Sequence, residues 1–286
     1  MMRFTSKKSS ASRFGRSRLA VPALLTVAAL ALAGCSSDDK AEPNNTDGSG
    51  SPSGLSLVKD GQLTVCSDMP YKPFEFEENG KTTGFDYDVV SAMAKSMDLS
   101  GGAQFDTTPF DGIIPALVAK NCDMIASAMT ITEERAKKVN FTDPYFDADQ
   151  SLLVLKENAE KYATLDSMTG QVIGVQSGTT GETYAEENTP DGATIKKFQT
   201  GDEMFPALTS GDIAGALQDL PVNGYRATTA PDKFAVTETF KTGEQYGFAV
   251  RLEDTALRDA LNDALSTIKD NGTYDEIYTT WFGEKK

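Results

Sequence analysis

The sequence predicts an α/β protein built as two α/β lobes. Strand-like and helix-like segments alternate along the body, which implies parallel sheets with helices on both faces. The alternation restarts after about residue 150, and the body is long for a single sheet of this kind. With 286 residues and 39% hydrophobic content, the chain has enough apolar matter for one large core or two modest ones.

The elements follow in order. Gln62 to Cys66 reads as a short strand closed by the loop Ser67-Asp-Met-Pro-Tyr71. Glu75 to Thr83 reads as a hairpin turning at Asn79-Gly80, a pair suited to a tight turn. From Asp86 to Met97, Val89, Val90, Met93, Ala94 and Met97 recur at helical spacing, with Asp86 and Asp88 in the first turn. Phe110 to Lys120 repeats the helical pattern. Met124 to Ala128 reads as a buried strand, and Thr132 starts a charged helix. The second series comprises a strand at Gln171 to Val175, helices at Gly181 to Glu187 and Asp202 to Leu208, and a strand at Ala214 to Leu217. Helices near Asp254 to Lys269 and Tyr274 to Trp281 close the chain.

Composition excludes several functions. Lys plus Arg is 27 against 42 Asp plus Glu, a net charge of −15, the opposite of the basic footprint a nucleic-acid binder needs. The absence of histidine rules out Ser-His-Asp and Cys-His nucleophiles, His-ligated zinc or iron, and a proximal-His haem. Three cysteines are too few for an all-cysteine tetrahedral metal site. No metal and no cofactor are expected.

Residues 1–34 read as an export signal. They carry six basic groups and no acidic one, followed by an apolar run from Leu19 to Ala33 that is short for a span of ~20 residues. The run ends in Leu32-Ala33-Gly34-Cys35, which resembles the lipobox of bacterial lipoproteins. That resemblance implies cleavage before Cys35 and lipidation of its thiol. An ordinary signal peptide ending near a cysteine is the plainer alternative. Cleavage leaves 21 basic groups against 42 acidic ones, a net charge of −21, which favours solubility. Residues 35–56 are expected to be the lipidated cysteine and a flexible Ser/Gly/Pro/Asp-rich tether. The expected location is the outer face of the cytoplasmic membrane, held by the lipid alone.

Gly84-Phe-Asp-Tyr-Asp-Val-Val-Ser-Ala-Met-Ala-Lys-Ser-Met97 resembles the signature of the family 3 solute-binding proteins of ABC importers, which bind polar amino acids. Tyr87 departs from the pattern, standing where an aliphatic residue or Thr is usual. Further segments resemble the family in the expected order: Asp68 to Phe74, Pro109 to Pro115, Ser127 to Arg135 with Phe141 to Tyr145 after it, Val175 to Thr180, and Gln218-Asp219. Together they cover most of residues 57–286. The resemblance implies a periplasmic-binding-protein-like fold, with two lobes joined by a two-strand hinge and a ligand cleft between them. It puts the crossings near Asp147 to Asp149 and near Gln245 to Phe248. Lobe 1 is then 57–147 plus 248–286, and lobe 2 is 148–247. It also implies ABC permease subunits as partners, and a monomer is expected.

A free amino acid carries a carboxylate and an ammonium, and burying both needs a cation, an anion and several hydrogen bonds. Arg135 can grip a carboxylate through its planar fork; read alone, it is a solvated residue of a charged helix. Thr130 can add its N–H to the carboxylate and its hydroxyl to the ammonium. Asp219 is expected to take the ammonium from the opposite lobe, although Leu220-Pro221 after it also suits a helix cap. Ser127 is expected to offer its carbonyl to the ammonium, with Ala128 beside it. Gly178-Thr179-Thr180 closes a strand and opens a helix, which gives free N–H groups for an anion. A plain strand-to-helix turn remains the alternative. Tyr71 and Phe110 are expected to sandwich the ligand side chain, with Asp68 binding a distal nitrogen and Gln176 on the far side. Loop capping is the alternative for Asp68.

The expected function is capture of a free polar amino acid, Arg or Lys favoured over glutamine, with no catalysis. The alternatives are a dehydratase-like enzyme on the same fold and a ligand-presenting sensor subunit. Cys66 falls late in one strand and Cys122 ahead of its neighbour. That register puts them beyond the roughly 4.4–6.8 Å a disulfide needs, so two free thiols are expected.

Overall fold

A computed structural model describes residues 54–284. The proposed signal segment, Cys35 and the tether up to residue 53 lie outside the described residues. Two five-stranded sheets form the two lobes. The first has β1 (Leu63–Ser67), β4 (Ala103–Thr107), β5 (Met124–Ile125), β6 (Val139–Phe141) and β12 (Ala249–Arg251), in the order β4-β1-β5-β12-β6. The second has β7 (Phe146–Leu155), β8 (Val172–Gln176), β9 (Thr194–Phe198), β10 (Gly215–Asp219) and β11 (Phe234–Tyr246), in the order β11-β7-β10-β8-β9.

The sheets are mixed rather than parallel. β1 runs parallel to β4 and β5, and β8 runs parallel to β9 and β10. The strands added where the chain passes between sheets run the other way: β12 is antiparallel to β5 and β6, and β7 is antiparallel to β10 and β11. β7 and β11 pair from Phe234↔Leu155 to Tyr246↔Phe146 and form the two-strand connection.

In lobe 1, α1 (Phe85–Ser96) buries Val89, Val90, Met93 and Ala94. The later α7 (Thr255–Asp270) and α8 (Thr273–Phe282) pack against α1. α7 buries Leu257, Leu261, Ala264, Leu265 and Ile268, spacings that keep one stripe on one face. The other sheet face is covered by α2 (Ile113–Val118), which follows a 3-10 turn at Phe110–Gly112. The predicted hairpin is β2 (Phe76–Glu78) with β3 (Lys81–Thr83), and both turn residues have positive φ, Asn79 at 53° and Gly80 at 73°. The charged helix begun at Thr132 is a single turn, α3 (Glu133–Ala136). In lobe 2, α4 (Thr180–Asn188) packs on β8 and β10, while α5 (Met204–Ser210) and α6 (Leu220–Thr229) cover β7 and β10 from elsewhere along the chain. Aromatic residues join the lobes at the hinge: Phe74, Phe146, Tyr246 and Phe282 meet with ring centroids 4.9–5.7 Å apart.

Cys66 and Cys122 form a disulfide, with Cα atoms 5.7 Å apart, so the expectation of free thiols is wrong. Register alone puts Cys66 opposite Ile125, three residues beyond Cys122. The α2–β5 connection does not extend β5 backwards in line. It folds over the face of β1 that α2 covers, where both cysteines share a cluster with Ile113, Leu117 and Ile125. Asp123 N–H donates to Thr64 O at 2.8 Å and the buried Arg251 donates to Cys122 O at 2.5 Å, fixing that fold.

Candidate functional site

The predicted binding residues sit where regular elements end. Asp68 and Tyr71 follow β1, Gln176 ends β8, Asp219 ends β10, and Phe110 and Thr180 begin helical turns. Strand ends of open α/β sheets are where ligands usually bind. All eleven, Asp68, Tyr71, Phe110, Ser127, Ala128, Thr130, Arg135, Gln176, Thr179, Thr180 and Asp219, border one cavity. It is narrow, with a volume of ≈10 Å³ against ≈820 Å³ for the adjoining groove.

Arg135 faces this space from α3. Its Nη1 donates to Thr130 O at 2.7 Å and its Nη2 crosses to Gly178 O at 3.1 Å, while the guanidinium lies 5.2 Å from the Phe110 ring centre. Its backbone N–H is taken by the N-cap side chain of Thr132 at 3.1 Å. Burial lowers its pKa, opposed by the charges of Asp219 and Glu244. Thr130 is bridged to Tyr246, with bonds from Ile131 N to Gln245 O and from Gly247 N to Met129 O. In that pattern the N–H and C=O of Thr130 itself point the other way, toward Arg135.

Asp219 lies opposite. The helix-cap alternative fails for its side chain, which makes no capping bond to α6. Its Oδ2 instead accepts from Tyr71 OH at 2.9 Å and Tyr246 OH at 2.5 Å, and its Oδ1 accepts from Gln150 Nε2 at 2.6 Å. Burial and then the Glu244 charge push its pKa up to about 6, against the three hydrogen bonds. Asp68 is also buried and raised to about 6, chiefly by desolvation, although Gln176 Nε2 donates to its Oδ2. Asp68 N–H donates to Ser127 Oγ at 2.9 Å, so the first and third loops are tied together. Thr179 caps α4 by accepting from Glu182 N at 3.1 Å. Gly178 has φ +80°, and a Cβ there would lie 3.2 Å from Asp111 Cα, so glycine permits the close approach of the lobes.

Two polar residues of the hinge strands were not anticipated. Glu244 Oε2 accepts from Thr130 Oγ1 at 2.8 Å and from Thr180 Oγ1 at 2.7 Å, one on each lobe. Gln150 Nε2 reaches both Asp219 and, at 3.1 Å, Glu244 Oε1. Glu244 owes its aim to an irregularity: the β7–β11 register shifts between Phe240 and Glu244, and such bulges re-aim side chains. A lone acidic residue in the polar stretch Lys241-Thr-Gly-Glu-Gln245 carried no signal of this.

The arrangement offers a cation and an anion facing each other across a cleft, with additional acids around them. Residues 63–284 match the family model of bacterial extracellular solute-binding proteins, family 3. The histidine-binding periplasmic protein of Escherichia coli (strain K12) is 34% identical over 229 residues, covering 77% of this chain and 87% of that protein. A putative ABC transporter arginine-binding protein of the same organism is 32% identical over 235 residues, covering 80% and 93%. Among solved structures, an ancestral arginine-binding protein bound to arginine matches with TM-score 0.72 and 38% identity, covering 78% of this chain and 99% of that one. An ancestral amino acid-binding protein described as a precursor of cyclohexadienyl dehydratase matches with TM-score 0.72 and 41% identity, covering 78% and 96%. The family match spans most of the chain, and the chain belongs to the family 3 bacterial extracellular solute-binding proteins.

Proposed function

We propose that the protein is the lipid-anchored binding component of an ABC importer that captures a free basic amino acid between its lobes and delivers it to a permease. The observation that carries this is the placement of Arg135 and Asp219 on opposite lobes around one cavity whose other charged walls are acidic. In this reading Arg135, Thr130 N–H and Thr180 N–H hold the ligand carboxylate. Asp219, Ser127 O and the Thr130 hydroxyl hold the ammonium, with Ala128 and Thr179 completing the walls. Tyr71 and Phe110 flank the side chain, and Asp68, oriented by Gln176, takes a distal cation. The lobes are 57–147 plus 248–286 and 148–247. Because the walls stand close together, the ligand enters with the lobes apart and is enclosed as they close. The likeness to histidine- and arginine-binding proteins supports a basic ligand. Export is supported by the family's extracellular character. Cys35 carries the anchor, and the protein acts as a monomer.

A thermal-shift screen against the free amino acids tests this. A ligand at a hundred times its Kd adds about 2.7 kcal/mol of apparent stability. Arginine and lysine should raise Tm most, glutamine less, and glutamate least. No shift with any amino acid would end the reading. An enzymatic reading is favoured by one observation, the likeness to a dehydratase precursor. Mass spectrometry of the incubated ligand separates the two, since binding returns it unaltered.

A further inference from the structure

Glu75 and Asp86 are both fully buried, with 0% exposure, in lobe 1 behind the cleft. Gly84 brings them together. A Cβ on Gly84 would lie 2.1 Å from Phe74 O, so only glycine lets the start of α1 lie against residues 74 and 75. There Asp86 N–H donates to Phe74 O at 2.9 Å. The two carboxyls then reach consecutive residues of one binding loop. Glu75 Oε1 accepts from Ser127 Oγ at 3.0 Å, and Asp86 Oδ2 accepts from Ala128 N–H at 2.9 Å and Tyr145 OH at 2.8 Å. Ser127 Oγ in turn accepts from Asp68 N–H, which extends the chain to the other binding loop.

Each carboxyl has one buried oxygen with no hydrogen-bond partner, Glu75 Oε2 and Asp86 Oδ1. Two buried carboxylates with no basic partner are prohibitive, and among the described residues no ion pair reaches either. A single proton held on the pair removes one of the two buried charges and so relieves their mutual repulsion. We propose that Glu75 and Asp86 share a single proton and that the protonated pair positions both binding loops, 67–71 and 127–130. Neither residue touches ligand, so both are positioning residues. The consequence for affinity rests on the amino-acid reading above; the shared proton and the loop order do not.

The surroundings favour the proton. Asp68 and Asp219 act on Glu75 as further negative charges, and the hydroxyls of Tyr71, Tyr145 and Tyr274 complete the electrostatic surroundings. Burial raises Asp86 to about 7, and burial with the Asp86 charge raises Glu75 well above the usual range. A raised carboxyl destabilises the fold progressively as pH climbs from its unfolded value to its folded one. Loss of the proton at alkaline pH should therefore loosen the loops.

Infrared spectroscopy of the whole wild-type protein should show a protonated carboxylic acid band at neutral pH that is lost in both E75Q and D86N. Each amide supplies permanently the hydrogen the pair otherwise shares. Hydrogen exchange should be faster in residues 67–71 and 127–130 of E75A than of E75Q. E75A should bind arginine about tenfold more weakly, as for one or two lost hydrogen bonds, and E75Q should recover most of that loss while flattening the alkaline fall in affinity. An absent band in wild type, or equal exchange in E75A and E75Q, overturns the proposal whether or not any amino acid binds. If the band and the exchange behave as expected while no amino acid binds, the pair stands and the ligand reading falls.

Discussion

Replacing Asp219 with alanine should abolish tight amino-acid binding while leaving the free protein folded. In the free protein two effects oppose each other. The gap between the ordinary 3.8 and about 6 means that keeping this buried carboxylate ionised at neutral pH costs about 3 kcal/mol, and alanine removes that cost. Alanine also strands three buried donors, Tyr71 OH, Tyr246 OH and Gln150 Nε2, a separate cost of roughly 1 kcal/mol for each. The two sums nearly cancel, so Tm at neutral pH should move little. Binding has no such compensation, because the ligand ammonium loses its anion. Stranding one member of a buried charge pair costs ~2–5 kcal/mol, or roughly thirtyfold to a few thousandfold in Kd. Calorimetry gives Kd and scanning calorimetry gives Tm. The pH dependence adds a second signature. A bound cation holds Asp219 ionised, so wild-type affinity is full above about 6 and falls as pH drops through that value. Measured with glutamine, which brings no distal cation to Asp68, the fall should be absent in the variant. Near-wild-type affinity in Asp219→Ala, or an unchanged acid limb, would refute the assignment.

Asp68→Asn should weaken arginine roughly ten- to a hundredfold, the worth of a charge-assisted hydrogen bond, and hardly change glutamine; equal effects on both would return Asp68 to a loop-capping role. Breaking the Cys66–Cys122 bond, which closes a sequence separation of 56, should cost about 4 kcal/mol in the chain-entropy picture. Scanning calorimetry should show this in the Cys66→Ser, Cys122→Ser double variant, and reductant should then have no further effect on Tm. Cys35→Ala should release the protein into the medium or leave it unprocessed, and a variant that still partitions with membranes after the same cleavage removes the lipid anchor from the account.

The elements that carry a strong local pattern were legible in the sequence. The stripes of α1 and α7, the Asn79-Gly80 hairpin and the strands β1, β8 and β10 stand where periodicity and turn chemistry put them. The eleven candidate residues that border the cavity were legible because they stand where such patterns stop and because their motifs resemble a family. The hinge strands were not. β11 reads FAVTETFKTGEQY, a polar edge strand interrupted by a register shift, with no apolar face to fix its alternation. Glu244 and, on β7, Gln150 were lost with it. Glu75 was hidden by the opposite fault. Between the buried Phe74 and Phe76, strict alternation would turn it outward, yet β2 begins only at Phe76, and Glu75 sits in an isolated bridge with Tyr71. The disulfide was missed because a connection of a few residues was treated as a straight extension of β5.

On the proposed reading, in which the lobes close on a ligand, the contacts that cross the cleft are a reason for charge to govern that closure. Tyr71 reaches Asp219, Gln176 reaches Asp68, Arg135 reaches Gly178 O, and Thr130 and Thr180 meet on Glu244. Every one of these bonds has a charged group at one end, and three of the four charged groups are carboxylates. A ligand favours the closed form only to the extent that it interacts better with that form than with the open one. A carboxylate on the ligand has one guanidinium to meet, and that guanidinium already spans the lobes. In the proposed pose a cation on the ligand meets Asp219 and Asp68, both raised to about 6 by burial, with the Glu244 charge acting on Asp219 from the hinge, so both ionise more fully when a positive charge arrives. A second cation therefore adds stabilisation that exists only when both walls are present. A glutamine side chain can offer Asp68 only a second neutral donor beside Gln176, and a glutamate side chain adds a fourth negative charge to the same space.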